Sequence, residues 1–159
     1  MGYYVEILES TFTIPVDKLD EAYSRMCQLN FTVPNSKKSG GSWSSGDLSK
    51  DKAPEYGPYE AAWFSWMPWN YHEQYTSAEE ILDALGFDID YNDNGDLEIT
   101  GYDSKTGQEE LFLESICDIS KGYIVWKGED GSIWGETYGL TEVIVKSRGR
   151  DTFADLIEV

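Results

Sequence analysis

The chain alternates between two patterns of apolar residues, one with the period of a strand and one with the period of a helix. Where every second residue is apolar, the pattern predicts a strand with one buried face. Residues 3–8 and 87–91 alternate in this way, residues 141–146 are β-branched, and turn signals predict further strands at 12–14, 96–102, 122–127 and 132–138. Where apolar residues recur three and four positions apart, the pattern predicts an amphipathic helix. Such stretches are residues 16–29, 77–85 and 108–119, with a further short helix at 153–157.

Turn and capping residues mark the ends of several predicted elements. Ser77 can cap the second helix at its start, and Gly86 follows it, where a helix can stop. Asn94 and Gly95 lie between two strand patterns, and this pair supplies the positive φ angles that a tight hairpin needs. Residues 128–131 form a similar turn between the next two strands. We therefore predict an α+β fold with a mainly antiparallel sheet and two to three helices packed on one face.

Length and composition favour one folded domain over residues 1–159. The 159 residues are 40% apolar and 14% aromatic, which is enough to build a core and argues against disorder. Residues 35–57 are rich in Ser, Gly, Lys and Pro and show no periodicity, so we expect a long flexible loop there. The aromatic cluster, residues 56–75, follows this loop and carries Trp66 and Trp69.

The charge changes the picture most. Thirty acidic residues against twelve basic ones give a formal net charge of −18. Such a field repels nucleic-acid phosphates and anionic membrane surfaces, so we expect neither as a direct partner. The negative charge favours binding of a basic protein or of a cation, or it serves only to keep the protein soluble. The acidic stretch, residues 79–118, holds thirteen carboxylates and a single base, Lys105, and could imitate the phosphate backbone of a nucleic acid.

A calcium loop is the best-formed site motif in the sequence. Asp90, Asn92, Asn94 and Asp96 fit the first oxygen ligands of such a loop, with Gly95 at its turn. The carboxylate required at the twelfth position is replaced by Gly101. A hairpin turn is therefore the favoured interpretation, and a calcium-binding module remains an alternative.

Catalysis has little support in the sequence, and we predict a protein that is not an enzyme and carries no cofactor. His72 is the only histidine, which excludes a histidine-rich metal site. Cys27 and Cys117 lie in apolar contexts without a Cys-x-x-Cys motif, as expected for reduced thiols. No apolar run approaches the roughly 20 residues of a membrane span. These features favour a cytoplasmic protein, and the resemblance given below implies the cytoplasm of a bacterial host cell.

Protein binding is the function that remains. Tryptophan is common at the centres of protein interfaces, which makes Trp66 and Trp69 candidate anchors, although such aromatics more often fill a core. We expect the most exposed carboxylates at turns and helix starts. The candidate partner-binding acids are Asp93, Asp96, Glu109, Glu110, Glu129 and Asp130.

Several short segments resemble small acidic proteins of bacteriophages and prophages. They are Met1-Gly-Tyr-Tyr-Val, Ile14-Pro15, Leu85-Gly-Phe87, Gly101-Tyr, Lys105-Thr-Gly107-Gln-Glu109, Tyr123-Ile-Val-Trp126 and Trp134. The resemblance covers most of the chain outside residues 35–57, and it brings no catalytic residues. It implies a phage-type inhibitor, such as an anti-CRISPR protein, that binds a basic host protein, for instance in the nucleic-acid groove of a defence nuclease. The alternative of the same class is an antitoxin or immunity-like binder.

Overall fold

The computed structural model describes residues 3–41 and 54–149, and this part of the chain forms ten strands and four helices. The strands are β1 (Tyr4–Ser10), β2 (Thr13–Ile14), β3 (Gly40–Gly41), β4 (Ala62–Trp63), β5 (Asp88–Tyr91), β6 (Leu97–Gly101), β7 (Asp103–Lys105), β8 (Gly122–Gly128), β9 (Ile133–Tyr138) and β10 (Ile144–Gly149). The helices are α1 (Leu19–Thr32), α2 (Tyr71–Gln74), α3 (Ala78–Leu85) and α4 (Glu109–Ser115). The helix predicted at 153–157 lies outside the described residues.

The strands pair antiparallel throughout the described part, and together with the helices they form the predicted α+β fold. They form three sheets rather than one, with the orders β10-β9-β8-β1-β7, β2-β6-β5 and β3-β4. The chain passes between the two larger sheets twice, at Phe12 after β1 and at Tyr102 after β6. Both residues are buried, so the chain bends inward there to place them in the core.

The core joins the helices to both larger sheets through buried aromatic residues. Phe64, Tyr71 and Phe112 pack edge to face, with ring centroids 5.2–6.1 Å apart. Helix α1 packs against α3 and α4 around this group. Phe64 and Tyr71 belong to the aromatic cluster and are fully buried. These two members therefore fill the core, which is the interpretation favoured from the sequence.

Two helices differ from the predicted boundaries for local reasons. Helix α1 begins three residues late because a 3₁₀ turn follows Pro15, and it runs on until the chain becomes extended before Pro34. Helix α4 ends at 115 rather than 119. The N–H groups of Ile116 and Cys117 bond to carbonyls three residues back, so the chain tightens into 3₁₀ geometry. Strand β10 begins at 144, later than the predicted 141.

The first residues of the predicted flexible loop are held by buried side chains and hydrogen bonds. Asn35 is buried and donates from Nδ2 to the carbonyl oxygen of Pro54 at 2.9 Å. Lys38 is only 3% exposed, and its Nζ donates to the carbonyl oxygen of Asn30 at 3.2 Å and to its Oδ1 at 2.7 Å. Burial lowers the pKa of Lys38 to about 8. Residues 42–53 of the loop lie outside the described part.

Candidate functional site: an acidic cavity with tryptophan walls

The predicted hairpin between β5 and β6 is present and carries Asp93 and Asp96. Gly95 has φ of +84°, whereas Asn94 does not have a positive φ, and the connection covers residues 92–96 rather than the predicted 92–95. Asp93 is exposed. Asp96 accepts the backbone N–H of Val16 at 2.8 Å through Oδ1, and this bond lowers the pKa of Asp96. Asp96 therefore links the hairpin to the start of the first helical segment.

The oxygens proposed as calcium ligands accept hydrogen bonds from the protein itself. Oδ1 of Asn92 accepts the N–H groups of Asn94 at 2.9 Å and Asp96 at 3.0 Å. Oδ1 of Asp90 accepts the N–H of Tyr91 at 2.8 Å. Within residues 3–41 and 54–149, no group of three or more His, Cys, Asp or Glu residues could hold a metal ion. This bonding favours the hairpin interpretation.

The turn between β8 and β9 uses its carboxylates in the same way. Oε1 of Glu129 accepts the N–H of Tyr4 at 3.0 Å. Oδ1 of Asp130 accepts the Tyr3 hydroxyl at 2.6 Å and the N–H of Ser132 at 3.0 Å. The Tyr3 hydroxyl, followed by the Ser132 N–H, lowers the pKa of Asp130. Both side chains are exposed, yet they fasten the turn to the segment that leads into β1.

The prediction of an exposed Glu109 is wrong, because its side chain is only 4% exposed. Its carboxylate accepts hydrogen bonds from the Tyr102 hydroxyl at 3.2 Å, the Thr106 hydroxyl at 2.9 Å and the Gly107 N–H at 2.9 Å. These donors precede α4, so Glu109 folds back over the start of its own helix instead of facing solvent. Its neighbour Glu110 is exposed, as predicted.

Glu109 and Glu110 line a cavity of about 60 Å³ together with Glu136 from β9. Its walls include Trp126 of β8 and Trp134 of β9. The two indole rings are stacked within 14° of parallel, with centroids 6.4 Å apart. Three carboxyl groups and two tryptophans from α4, β8 and β9 therefore meet at one opening.

Glu136 is fixed in this cavity by one of its two oxygens. Oε1 accepts the Trp126 indole N–H at 2.7 Å and the Tyr138 hydroxyl at 2.9 Å. Oε2 has no hydrogen-bond donor in the part of the chain that the structure describes. Burial raises the pKa of Glu136 against the effect of these two donors, and the charges of Glu110 and Glu109 raise it further.

No cation balances the charge of the cavity within the described ranges. Lysine and arginine are missing from its lining, and its carboxylates take part in none of the ion pairs there. The pKa of Glu110 is also raised, first by partial burial and then by repulsion from Glu109 and Glu114. Several negative groups thus share a partly desolvated space, an arrangement common at functional sites.

The two candidate tryptophans have different surroundings. Trp66 is 46% exposed, and its φ of +72° is unusual for a large side chain. Its indole lies against Gly107, where an added Cβ would come within 2.6 Å of the Trp66 Nε1 atom. Trp66 therefore lies beside the segment that holds Glu109. Trp69 is half-buried, and its carbonyl accepts a hydrogen bond from Asn30 Nδ2 at 2.9 Å.

The structure thus brings Glu109 and Glu110 together, places Trp66 beside Gly107, and ties Asp96, Glu129 and Asp130 to other elements, whereas Asp93 is exposed. Sequence reasoning missed Trp126, Trp134 and Glu136. A signal for Glu136 exists in the alternation of β9, because positions 134, 136 and 138 share one face of the strand. A carboxylate between Trp134 and Tyr138 on that face is a polar residue where the pattern requires an apolar one.

The acidic stretch presents most of its carboxylates to solvent, including Glu110, which also lines the cavity. Nine of them are exposed: Glu80, Asp83, Asp88, Asp90, Asp93, Asp103, Glu110, Glu114 and Asp118. Among these nine, only Asp118 forms an ion pair within the described residues, and its partner is Arg25. The negative field of this surface is therefore not cancelled locally.

In comparisons with known proteins, the chain matches no family model, no curated protein and no solved structure. None of the helices in residues 3–41 and 54–149 has the length and apolar character needed to cross a membrane.

Proposed function

We propose that this chain is a non-catalytic binding protein of the phage inhibitor type, which uses its acidic surface to bind a basic host protein. The nucleic-acid groove of a defence nuclease is the kind of surface it would fit. The observation that carries the proposal is the set of eight exposed carboxylates in the acidic stretch without an ion pair among the described residues.

Exposed charges of one sign act mainly on association. A negative surface attracts a positively charged groove over a distance of about 8 Å at physiological salt, and this attraction raises the association rate. A groove that binds phosphates offers lysine and arginine side chains to a negatively charged surface. The carboxylates would replace the phosphates, so the inhibitor and the nucleic acid would compete for one surface.

Charge reversal on the acidic stretch tests this proposal. The variant carries Asp83, Asp93, Asp103 and Glu114 changed to Lys. These side chains are exposed and form no hydrogen bond or ion pair with the other described residues, so the fold should survive. We expect loss of binding to a DNA-binding nuclease of the host, a steep decline of wild-type binding with salt, and competition by double-stranded DNA.

The matched control carries the same charge change elsewhere. Asp17, Asp20, Glu60 and Glu142 are also exposed, and changing them to Lys alters the net charge equally. If binding depends on the acidic stretch, this control retains most of its affinity. Equal losses in both variants, or wild-type binding that is indifferent to salt, would contradict the proposal.

A further inference from the structure

We propose that the cavity between α4, β8 and β9 receives a single arginine side chain of the basic partner, with its guanidinium group on Glu136 and its stem against the tryptophan walls. The inference rests on the proposed function for the protein nature of the partner. It adds a defined point of contact to a surface that would otherwise act only through its overall charge.

Charge complementarity identifies the occupant as a cation. Glu109, Glu110 and Glu136 all line the cavity, and no lysine or arginine of the described chain offsets them. Bringing carboxylates together in a partly desolvated space costs free energy unless a positive group compensates. A bound cation would relieve this repulsion, whereas an anion or a neutral apolar group would leave it in place.

The unused oxygen of Glu136 gives the cation a place to bind. Oε1 already accepts two hydrogen bonds, from Trp126 and Tyr138, so the orientation of the carboxylate is fixed before any ligand arrives. Oε2 accepts no hydrogen bond from the described residues, and Glu136 is one of the residues that line the cavity. Groups held in position in this way bind with a smaller loss of conformational freedom.

The walls favour arginine over lysine. Trp126 and Trp134 line the cavity, and the side chains of Val5 and Leu113 complete an apolar boundary. A guanidinium group is planar, stacks on indole faces and is more weakly hydrated than an ammonium group. The volume of about 60 Å³ suits a group of a few heavy atoms, since one water-sized group needs about 10–15 Å³.

The test uses the full chain and a small probe rather than the partner. Nα-acetylarginine amide is titrated against the protein at constant ionic strength, and the indole N–H signal of Trp126 is followed by NMR. The neutral isostere Nα-acetylcitrulline amide and the corresponding lysine amide are the comparison probes. We expect saturable shifts with the arginine probe, weaker binding of the lysine probe and no saturable shift with citrulline.

Two substitutions locate the binding. Glu136→Gln should weaken the arginine probe by about tenfold or more, because it removes a charge-assisted hydrogen bond. The matched control is Glu114→Gln, because Glu114 is exposed, lies in the acidic stretch and does not line the cavity. This substitution should change binding of the arginine probe by less than about twofold. If Glu136→Gln fails to fold, Glu110→Gln is the second variant, and it too should weaken binding more than the control.

Equal binding of arginine and citrulline, tighter binding of lysine, or equal losses in Glu136→Gln and Glu114→Gln would overturn the inference. The four lysine substitutions of the partner test lie outside the cavity lining, which keeps the two failures distinguishable. Salt-sensitive partner binding without arginine binding would refute the cavity alone. Arginine binding without any basic protein partner would refute the proposed function and the assignment of the occupant to a protein.

Discussion

Carboxylates at the two hairpin turns and carboxylates in the cavity are chemically alike, but the fold treats them differently. Asp96 and Asp130 accept hydrogen bonds from backbone N–H groups and from other protein donors, and their pKa values are lowered. Glu110 and Glu136 are partly buried near other carboxylates, and their pKa values are raised. Glu136 also accepts two hydrogen bonds, so it is burial beside other carboxylates that outweighs the donors and separates the cavity from the turns.

Glu109 lies between these two groups and should show the largest effect on stability. Glu109→Ala would remove the acceptor of the Thr106 hydroxyl and the Gly107 N–H, whereas the Tyr102 hydroxyl would keep the Lys105 carbonyl at 2.8 Å. We expect a loss of about 1–3 kcal/mol in the free energy of unfolding, since partly buried donors lose their partner. Denaturant titration measures it.

The adjacent residue is the control for that prediction. Glu110→Ala removes a charge that repels Glu109 and Glu114, so stability should change by less than about 0.5 kcal/mol. A loss in Glu110→Ala as large as in Glu109→Ala would show that burial and donor number do not separate the two positions.

Gly95→Val tests whether the first turn depends on its own backbone geometry. Gly95 has φ of +84°, a conformation that β-branched residues resist. We expect a loss of about 1 kcal/mol or more, measured as a lower denaturation midpoint. Asn94→Ala, at a position without positive φ, is the comparison variant. An unchanged midpoint for Gly95→Val would show that the hairpin tolerates another turn.

The smallest expected effect is a difference in pH dependence, and its sign separates the two groups of carboxylates. The raised pKa of Glu136 means that its favourable contribution is present at low pH and is lost as pH rises through that pKa. Glu136→Gln should therefore lose less stability than the wild type as pH rises above the ordinary pKa of a glutamate, 4.5.

Asp96→Asn should behave in the opposite way. The pKa of Asp96 is lowered, so its contribution is present above its ordinary pKa and is lost as pH falls. The variant should lack the gain in stability that the wild type shows as pH rises. Unfolding curves at several pH values provide the measurement. If the pH dependence of stability differed from the wild type in the same direction in both variants, the comparison would be contradicted.

The elements with strong local signals were predictable from the sequence. Ser77 caps α3 by accepting the N–H of Glu80 at 3.2 Å, and Gly86 ends it with a positive φ, as the helix signals required. The β5–β6 and β8–β9 hairpins are confirmed as well. Strands β3, β4 and β7 were missed because two or three residues are too few to show a period.

The cavity was not predictable, because its parts come from distant segments. Trp126 and Glu136 meet Glu109 only after α4 packs beside the hairpin of β8 and β9. A local clue to the burial of Glu109 was present, since Thr106 and Glu109 have the spacing of a capping box. The sequence could thus assign single residues to helices and strands. Which of these residues come into contact in the cavity depended on tertiary packing.

Strand β1 sits between β7 and β8, and this position has a consequence for how the protein is made. β1 leaves the ribosome well before its ladder partners, which lie about a hundred residues later in β7 and more than a hundred later in β8, for example Val5 opposite Gly128. At about 5–20 residues per second, β1 waits roughly ten seconds before its sheet can close. The five-stranded sheet therefore completes late, and a nascent chain stalled before β8 would expose β1 to other proteins in the cell.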